Sequence, residues 1–143
     1  MKKLITAMFI FVSCFTSKAF SDGHAIKMGI ILGFTGPIES LTPAMAASAE
    51  LAFKEASDSG KLLGGKSIMI ERADSTCVDS AAATTAAEGL VSNGVLAIMG
   101  ADCSGVTGAI ATNVAVPNGV VMISPSATSV SYTHLTLPTR TVV

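Results

Sequence analysis

The chain has 143 residues, and its content of 50% hydrophobic and 13% charged residues places it among globular proteins with one core-forming domain. Nucleic acid is disfavoured as a partner, because residues 22–129 carry ten acidic side chains against five basic ones, a net charge of −5. Before residue 130 the only histidine is His24, so neither a catalytic triad nor a zinc site can be assembled there. We therefore expect no enzymatic activity, no metal and no cofactor.

The first 21 residues have the order of a secretory signal peptide. Lys2 and Lys3 precede an uncharged run of twelve residues, 4–15, and small residues follow at 17–21. A membrane-spanning helix needs about 20 residues, so a retained span is the weaker interpretation. Cleavage after Ala19 and cleavage after Ser21 both fit, and export to the periplasm follows from either.

Between these residues and position 130, strand and helix patterns alternate. Short apolar runs indicate four strands, at residues 27–33, 67–72, 95–99 and 120–123. Apolar residues at helical spacing indicate a helix in each of the three intervals. The first helix begins at Thr42, whose hydroxyl is available as a cap, and it carries Glu50 and Lys54 as an i,i+4 ion pair on its outer face. This order predicts an α/β fold, a parallel sheet with helices on both faces.

Residues 130–143 differ in sequence character from residues 22–129. The decapeptide 130–139 holds the only tyrosine, Tyr132, and resembles the translation of a transposon-type sequencing adapter. We expect residues 130–143 to be a foreign tail, in which Tyr132 and His134 have no functional role. An ordinary strand and turn is the alternative.

In open parallel sheets, ligands bind beyond the carboxyl ends of the strands. Three loops rich in glycine or hydroxyl residues qualify here, at residues 33–37, 101–105 and 124–128. Ser104 lies where the third helix begins, so backbone amides, the helix dipole and a hydroxyl together suit a carboxylate. The alternatives are a simple capping serine at Ser104 and a simple turn at Ser126 and Thr128.

Two cysteines, Cys77 and Cys103, remain in the exported part, and each follows a predicted strand, so their loops lie at one edge of the sheet. We expect them to form a disulfide, and two unpaired buried thiols are the alternative. Residues 60–67 satisfy the phosphate-loop formula but leave a helix and enter a strand, which is the reverse of the required order. A metal site built from the aspartates is also disfavoured, because caps and turns account for Asp74, Asp79 and Asp102.

Four segments together resemble the type I periplasmic binding proteins of branched-chain amino-acid ABC transporters, namely residues 33–37, 73–79, 98–104 and 122–128. The resemblance implies that residues 22–129 are the Rossmann-like amino-terminal lobe of such a protein, incomplete here. It also implies the Cys77–Cys103 disulfide.

The resemblance further implies which residues bind the ligand. Its α-carboxylate and α-ammonium would be held by Ser104, Ser126 and Thr128. Leu41 stands where the family usually has an aromatic residue, so it is the candidate for contact with the ligand side chain.

The implied function is that of a monomeric periplasmic component that captures a branched-chain or related amino acid and delivers it to an ABC permease in the inner membrane. A ligand-sensing receptor domain of the same fold is the alternative. An α/β enzyme is the least favoured, because the sequence offers no nucleophile and base pair.

We predict that residues 1–21 are removed on export, because a basic start, a short apolar run and small residues occur in processing order. Mass spectrometry of the periplasmic product should give a chain that begins at Phe20 or Asp22. A mature chain that begins at Met1 would contradict the prediction.

Overall fold

The computed structural model describes residues 25–129, so the predicted signal peptide at 1–21 and the predicted foreign tail at 130–143 lie outside the described residues. The main elements alternate along the chain as β1 (Ile26–Leu32), α1 (Thr42–Asp58), β2 (Ile68–Asp74), α2 (Ser80–Ser92), β3 (Ala97–Gly100), α3 (Ser104–Ile110) and β4 (Val121–Ile123). A 3-10 turn, Leu62–Gly64, follows α1, and α3 continues as a π-helical segment, Ala111–Ala115, and a last turn, α4 (Val116–Asn118).

The four strands form one parallel sheet in the order β2-β1-β3-β4. Ile30 of β1 lies opposite Arg72 of β2 on one side and Met99 of β3 on the other. The predicted α/β fold is therefore confirmed, and because all strands are parallel, their carboxyl ends open on one edge of the sheet.

Helices cover both faces of this sheet, because the strands are apolar on both sides. Ile31 and Ile98 face α2 and α3 and pack into a cluster with Ala83, Ala87, Leu90, Val106, Ile110 and Val114. Ile30 and Leu32 face α1, where Ala46 is buried and Met45, Ala49 and Phe53 pack against it. The small alanines bring α2 close to the sheet. No helix within residues 25–129 is both long and apolar enough to cross a membrane.

The start of α1 differs from its prediction. Leu41 occupies the cap position, and no side chain caps the helix. Thr42 is fully buried, and its hydroxyl donates to the carbonyl of Gly33 at 3.2 Å and to that of Glu39 at 3.3 Å. The prediction that the Thr42 hydroxyl caps α1 was wrong, because a buried hydroxyl beside the β1 loop finds these carbonyls and not the amides of its own helix.

The outer face of α1 also differs from its prediction. Glu50 pairs with Arg72 of β2 at 2.5 Å, and Lys54 pairs with Asp58 one turn further along the helix. The expected Glu50–Lys54 pair was wrong, because β2 brings a guanidinium within reach of Glu50. Arg72 also lies over the ring of Phe34, 5.6 Å from its centre.

Gly100 closes β3 where the sheet has no room for a side chain. Its φ is +133°, and a Cβ atom there would lie 1.9 Å from the carbonyl oxygen of Ile31 and 2.8 Å from its Cγ2. Both atoms belong to the buried central strand, so the contact cannot be relieved by a side-chain rotation alone. Glycine is therefore required at this position.

The disulfide predicted between Cys77 and Cys103 is present, with the two Cα atoms 5.2 Å apart and 26 residues between them in sequence. It links the residues that follow β2 to the residue that precedes α3. Thr76 and Cys77 have left-handed backbone conformations, with φ of 56° and 70°. Such conformations are costly for residues with side chains, so neighbouring contacts must hold this turn in place.

We predict that Gly100→Ala lowers the free energy of unfolding by about 2 to 3 kcal/mol, because the new methyl group overlaps the Ile31 backbone. Gly89→Ala in α2 is the matched control, since a Cβ there meets nothing within 4 Å and alanine favours the helix by up to about 1 kcal/mol. Urea denaturation of both variants measures the difference. Equal stability of the two variants would contradict the prediction.

We predict that replacing both Cys77 and Cys103 by serine lowers the free energy of unfolding by up to about 3.5 kcal/mol, because the open loop regains conformational entropy in the unfolded chain. Denaturation with and without a reducing agent provides the measurement. Reduction should destabilise the unmodified protein and leave the double serine variant unchanged. An unmodified protein with two titratable thiols under oxidising conditions would argue against the bond.

Candidate functional site

Four loops meet at the carboxyl edge of the sheet and form the candidate site. They are the β1 loop (residues 33–41), the β2 loop (75–78), the β3 loop (101–103) and the β4 loop (124–129). The predicted ligand-binding residues are distributed over this edge. Leu41 ends the β1 loop, Ser104 follows the β3 loop, and Ser126 and Thr128 belong to the β4 loop.

The carboxylate of Asp102 lies at the centre of this edge, and the residue is only 3% exposed. One of its oxygens, Oδ2, accepts a hydrogen bond from the backbone N–H of Gly33 at 2.8 Å. The other, Oδ1, accepts from the backbone N–H of Cys103 at 2.9 Å and from the hydroxyl of Ser75 at 3.4 Å. A single side chain therefore joins the β1, β2 and β3 loops.

Hydrogen bonds of Ser126 and Thr128 attach the β4 loop to the β3 loop and to the start of α3. The hydroxyl of Ser126 donates to the backbone carbonyl of Asp102 at 2.8 Å. The backbone N–H of Thr128 donates to the hydroxyl oxygen of Ser104 at 3.2 Å. The structure thus brings Ser104, Ser126 and Thr128 together, although 22 to 24 residues separate the two loops in sequence.

Ser104 does not cap its own helix. Cys103 holds the cap position of α3, and no side chain accepts hydrogen bonds from the first amides of that helix. A serine hydroxyl has one proton to donate and two lone pairs to accept with. Because the Ser104 hydroxyl accepts from Thr128, its proton remains available for another acceptor.

Leu41 lies apart from the three hydroxyl residues, on the β1 loop at the start of α1. Its side chain is 60% exposed. The loop that carries it packs closely on the β2 loop, since a Cβ atom at Gly36 would lie 2.5 Å from the carbonyl oxygen of Thr76. Leu41 is therefore an accessible apolar side chain held at the same edge of the sheet.

Asp74, the last residue of β2, fastens the β1 loop to the β2 loop. Its Oδ2 accepts from the Thr35 hydroxyl at 2.6 Å, and its Oδ1 accepts from the backbone N–H of Thr76 at 2.8 Å and from that of Thr35 at 3.3 Å. Burial acts to raise the pKa of Asp74, but these bonds and the amide of Phe34 outweigh it and hold the pKa below its ordinary value. At neutral pH, Asp74 is therefore an ionised acceptor.

The aspartates thus have separate roles in the structure. Asp79 caps α2, since its Oδ1 accepts from the backbone N–H of Ala81 at 2.9 Å and from that of Ala82 at 3.0 Å. Within residues 25–129, no group of three or more histidine, cysteine or acidic side chains is arranged to hold a metal ion. The interpretation of Asp79 as a cap is confirmed, whereas Asp102 does more than make a local turn.

An apolar cavity of about 570 Å³ lies beside the site along the edge strand β4. Its walls come from α3, the π-helical segment, α4, β4 and the β4 loop, and include Thr107, Ala111, Val116, Met122 and Ser124. Ser104, Ser126 and Thr128 do not line it. The hydroxyl cluster and this cavity are therefore separate features.

Sequence analysis assigned Asp102 only to a cap or turn and gave no individual role to Ser75 or Ser124. The Ser124 hydroxyl donates to the carbonyl of Ala101 and accepts from the backbone N–H of Ala127 at 2.8 Å, which shapes the β4 loop. An acidic residue two positions after an apolar strand was the one available signal for Asp102. Local sequence could not reveal its partners, because Gly33 lies 69 residues away and Ser75 lies 27 residues away.

Comparison with known proteins identifies relatives of this chain. The chain is 30% identical over 127 residues to the Leu/Ile/Val-binding protein BraC3 of Rhizobium johnstonii. The match covers 89% of this chain and 33% of the relative. It is 33% identical to the branched-chain amino acid transporter substrate-binding protein LivJ of Streptococcus pneumoniae, solved in complex with isoleucine. The match covers 76% of this chain and 31% of the LivJ chain, with a TM-score of 0.69.

A third relative was solved with a different ligand. The solute-binding protein of an ABC transporter from R. palustris, in complex with benzoate, is 29% identical, with a TM-score of 0.60. The match covers 72% of this chain and 28% of the other. The chain therefore spans about a third of the length of the relatives it matches.

The family model for periplasmic binding proteins matches residues 25–139. The match includes residues 130–139, and the foreign origin of residues 130–143 stays a prediction. The four parallel strands, the flanking helices and this match agree with one another. The chain belongs to the periplasmic binding protein family, as a type I member related to the branched-chain amino-acid-binding proteins.

Proposed function

We propose that this chain is the amino-terminal lobe of the periplasmic substrate-binding component of an ABC transporter, and that it captures a branched-chain or related amino acid for import. The observation that carries the proposal is the convergence of Ser104, Ser126 and Thr128 at the carboxyl edge of the sheet, in a chain of this family. Neutral hydroxyls and backbone amides suit a zwitterionic ligand, because they bind both of its charges without adding a net charge of their own.

The α-carboxylate of the ligand binds at Ser104 in this proposal. The Ser104 hydroxyl keeps its proton for donation, and the first amides of α3 have no side-chain cap. A carboxylate placed there accepts hydrogen bonds from both kinds of donor. Such charge-assisted bonds are about twice as strong as those between neutral groups.

The α-ammonium binds on the side of the β4 loop. The Ser126 hydroxyl donates its proton to the backbone carbonyl of Asp102, so the Ser126 oxygen can only accept a hydrogen bond from the ligand. An ammonium group is such a donor, with three protons to place. Ser126 and Ser104 thereby have opposite roles, and their separation along the edge orients the ligand.

Leu41 contacts the ligand side chain in this proposal. It is an exposed aliphatic residue on the β1 loop, at the edge that carries the hydroxyl cluster. An aliphatic side chain here favours an apolar ligand side chain, because burial of both removes apolar surface from water. This agrees with the isoleucine bound to the LivJ relative.

The remaining parts of the proposal concern the whole protein. Its relatives are about three times as long as this chain, so a further part of the polypeptide would close over the ligand. The signal-peptide pattern supports location in the periplasm, where the loaded protein would meet an inner-membrane permease.

A carboxylate without an amine is the second candidate ligand. The relative from R. palustris that was solved with benzoate favours it. The two candidates differ at Ser126, which accepts from an ammonium but has no proton left for a second carboxylate oxygen. Titration with leucine, isoleucine and benzoate therefore separates them, and the amino acids should bind more tightly.

We predict that Ser104→Ala weakens leucine binding by about tenfold or more, because one charge-assisted hydrogen bond worth about 1.5 to 3 kcal/mol is lost. Calorimetry on the complete polypeptide that carries this chain measures the dissociation constant. Ser48→Ala is the control, since Ser48 is an exposed helical serine that donates to the Ala44 carbonyl. The affinity of this variant for leucine should not change.

Two outcomes would count against these claims. An unmodified protein that binds none of the three ligands would overturn the proposed function. Unchanged leucine affinity in Ser104→Ala, together with a lowered melting temperature, would reduce Ser104 to a structural residue and place the carboxylate site elsewhere.

A further inference from the structure

We infer that Asp102 is a positioning residue for the ligand site: its buried carboxylate holds the β1, β2 and β3 loops in the arrangement that binds the ligand. The inference rests on the proposed function and adds a residue that would not itself contact the ligand. It starts from the burial of Asp102, which is 3% exposed, at the point where these loops meet.

Both carboxylate oxygens are needed for this arrangement. Oδ2 accepts from the backbone N–H of Gly33, and Oδ1 accepts from that of Cys103. An asparagine has a single acceptor oxygen, which would satisfy one of the two N–H groups, and its amide nitrogen, itself a donor, would face the other N–H and leave it without an acceptor. A carboxylate is therefore the side-chain group of this size that fits both donors.

Asp102 reaches two of the proposed ligand residues through its neighbours and its backbone. The Cys103 amide that it binds belongs to the cap of α3, directly before Ser104. Its own carbonyl accepts from the Ser126 hydroxyl. A change in the position of Asp102 therefore moves both Ser104, the proposed carboxylate site, and Ser126, the proposed ammonium site.

The same carboxylate also reaches the third part of the site. Gly33, whose amide donates to Asp102, offers its carbonyl to the buried Thr42 hydroxyl. Thr42 is the first residue of α1 and follows Leu41 directly. The hydrogen bonds of Asp102 thus extend, through Gly33, to Thr42, which is the chain neighbour of the exposed Leu41.

No lysine or arginine pairs with Asp102 in the part of the chain that the structure describes, where the ion pairs join other residues. The hydrogen bonds from the three loops are therefore what satisfies this buried carboxylate. Loss of one bond leaves a buried polar group without a partner, which favours opening of the loops over retention of the closed arrangement.

The test compares leucine affinity in Asp102→Asn and Asp102→Ala with that in Asp79→Ala, all in the complete polypeptide. Asp79 is the matched control, because its carboxylate also accepts from two backbone amides, but these belong to its own helix, α2, and the bonds join no second loop. All three variants should have lowered melting temperatures. Only the Asp102 variants should bind leucine more weakly, by about tenfold if the binding arrangement falls to about a tenth of the molecules.

Hydrogen exchange of backbone amides provides a second readout that a general loss of stability would not reproduce. In Asp102→Asn, exchange should increase in peptides that cover residues 33–37 and 101–105, and it should stay unchanged in β1 and in the middle of α2. Asp79→Ala should instead increase exchange at the start of α2. Uniformly increased exchange in Asp102→Asn would overturn the positioning role.

Ser75→Ala covers the case in which neither Asp102 variant folds. It removes the hydroxyl that donates to Oδ1 and keeps both backbone bonds, so a loss of leucine affinity of roughly two- to fivefold is expected. If the unmodified protein binds leucine and Asp102→Asn binds it equally well, the inference on Asp102 is overturned and the proposed function stands. Where the Asp102 variants do not fold, equal leucine binding by Ser75→Ala has the same consequence. Absence of binding in the unmodified protein would overturn the proposed function as well.

Discussion

All four strands of the sheet run in one direction, and this constraint governs the site. A parallel sheet sends every strand's carboxyl end to the same edge, so four loops that are far apart in sequence become neighbours there. The same sheet must be covered on both faces, which the apolar strands achieve with α1 on one side and α2 and α3 on the other. The location of the site is thus a consequence of how the core is built.

Two carboxylates hold the loops at this edge together by accepting hydrogen bonds from them. Asp74 fastens the β1 loop to the β2 loop, and Asp102 adds the β3 loop, whose backbone in turn binds Ser126. Backbone amides supply most of the hydrogen bonds that the two carboxylates accept, so the loop conformations, more than particular side chains, satisfy them. The Cys77–Cys103 disulfide adds a covalent link between two of the same loops. Rigid loops reduce the entropy that a ligand must remove on binding.

Periodicity was sufficient to predict the strands, the helices and their order, because burial on a sheet or against a helix leaves a local pattern of apolar residues. The predictions that failed were about side-chain partners. The Thr42 hydroxyl donates to Gly33 and not to its own helix, and Glu50 pairs with Arg72 and not with Lys54. In both cases β1 or β2 supplies a partner that lies far away in sequence, and no local pattern reports it.

The sequence by itself determined the fold class, the edge at which the loops gather, the cysteines that pair and the hydroxyl residues in those loops. Each of these follows from composition or from spacing along the chain. Only the tertiary structure decided that Asp102 joins three loops, that Ser104 accepts from Thr128 and keeps its proton, and that Ser126 gives its proton to a carbonyl. The physical reason is that a hydrogen bond depends on distances of about 3 Å between groups that only the folded chain brings together.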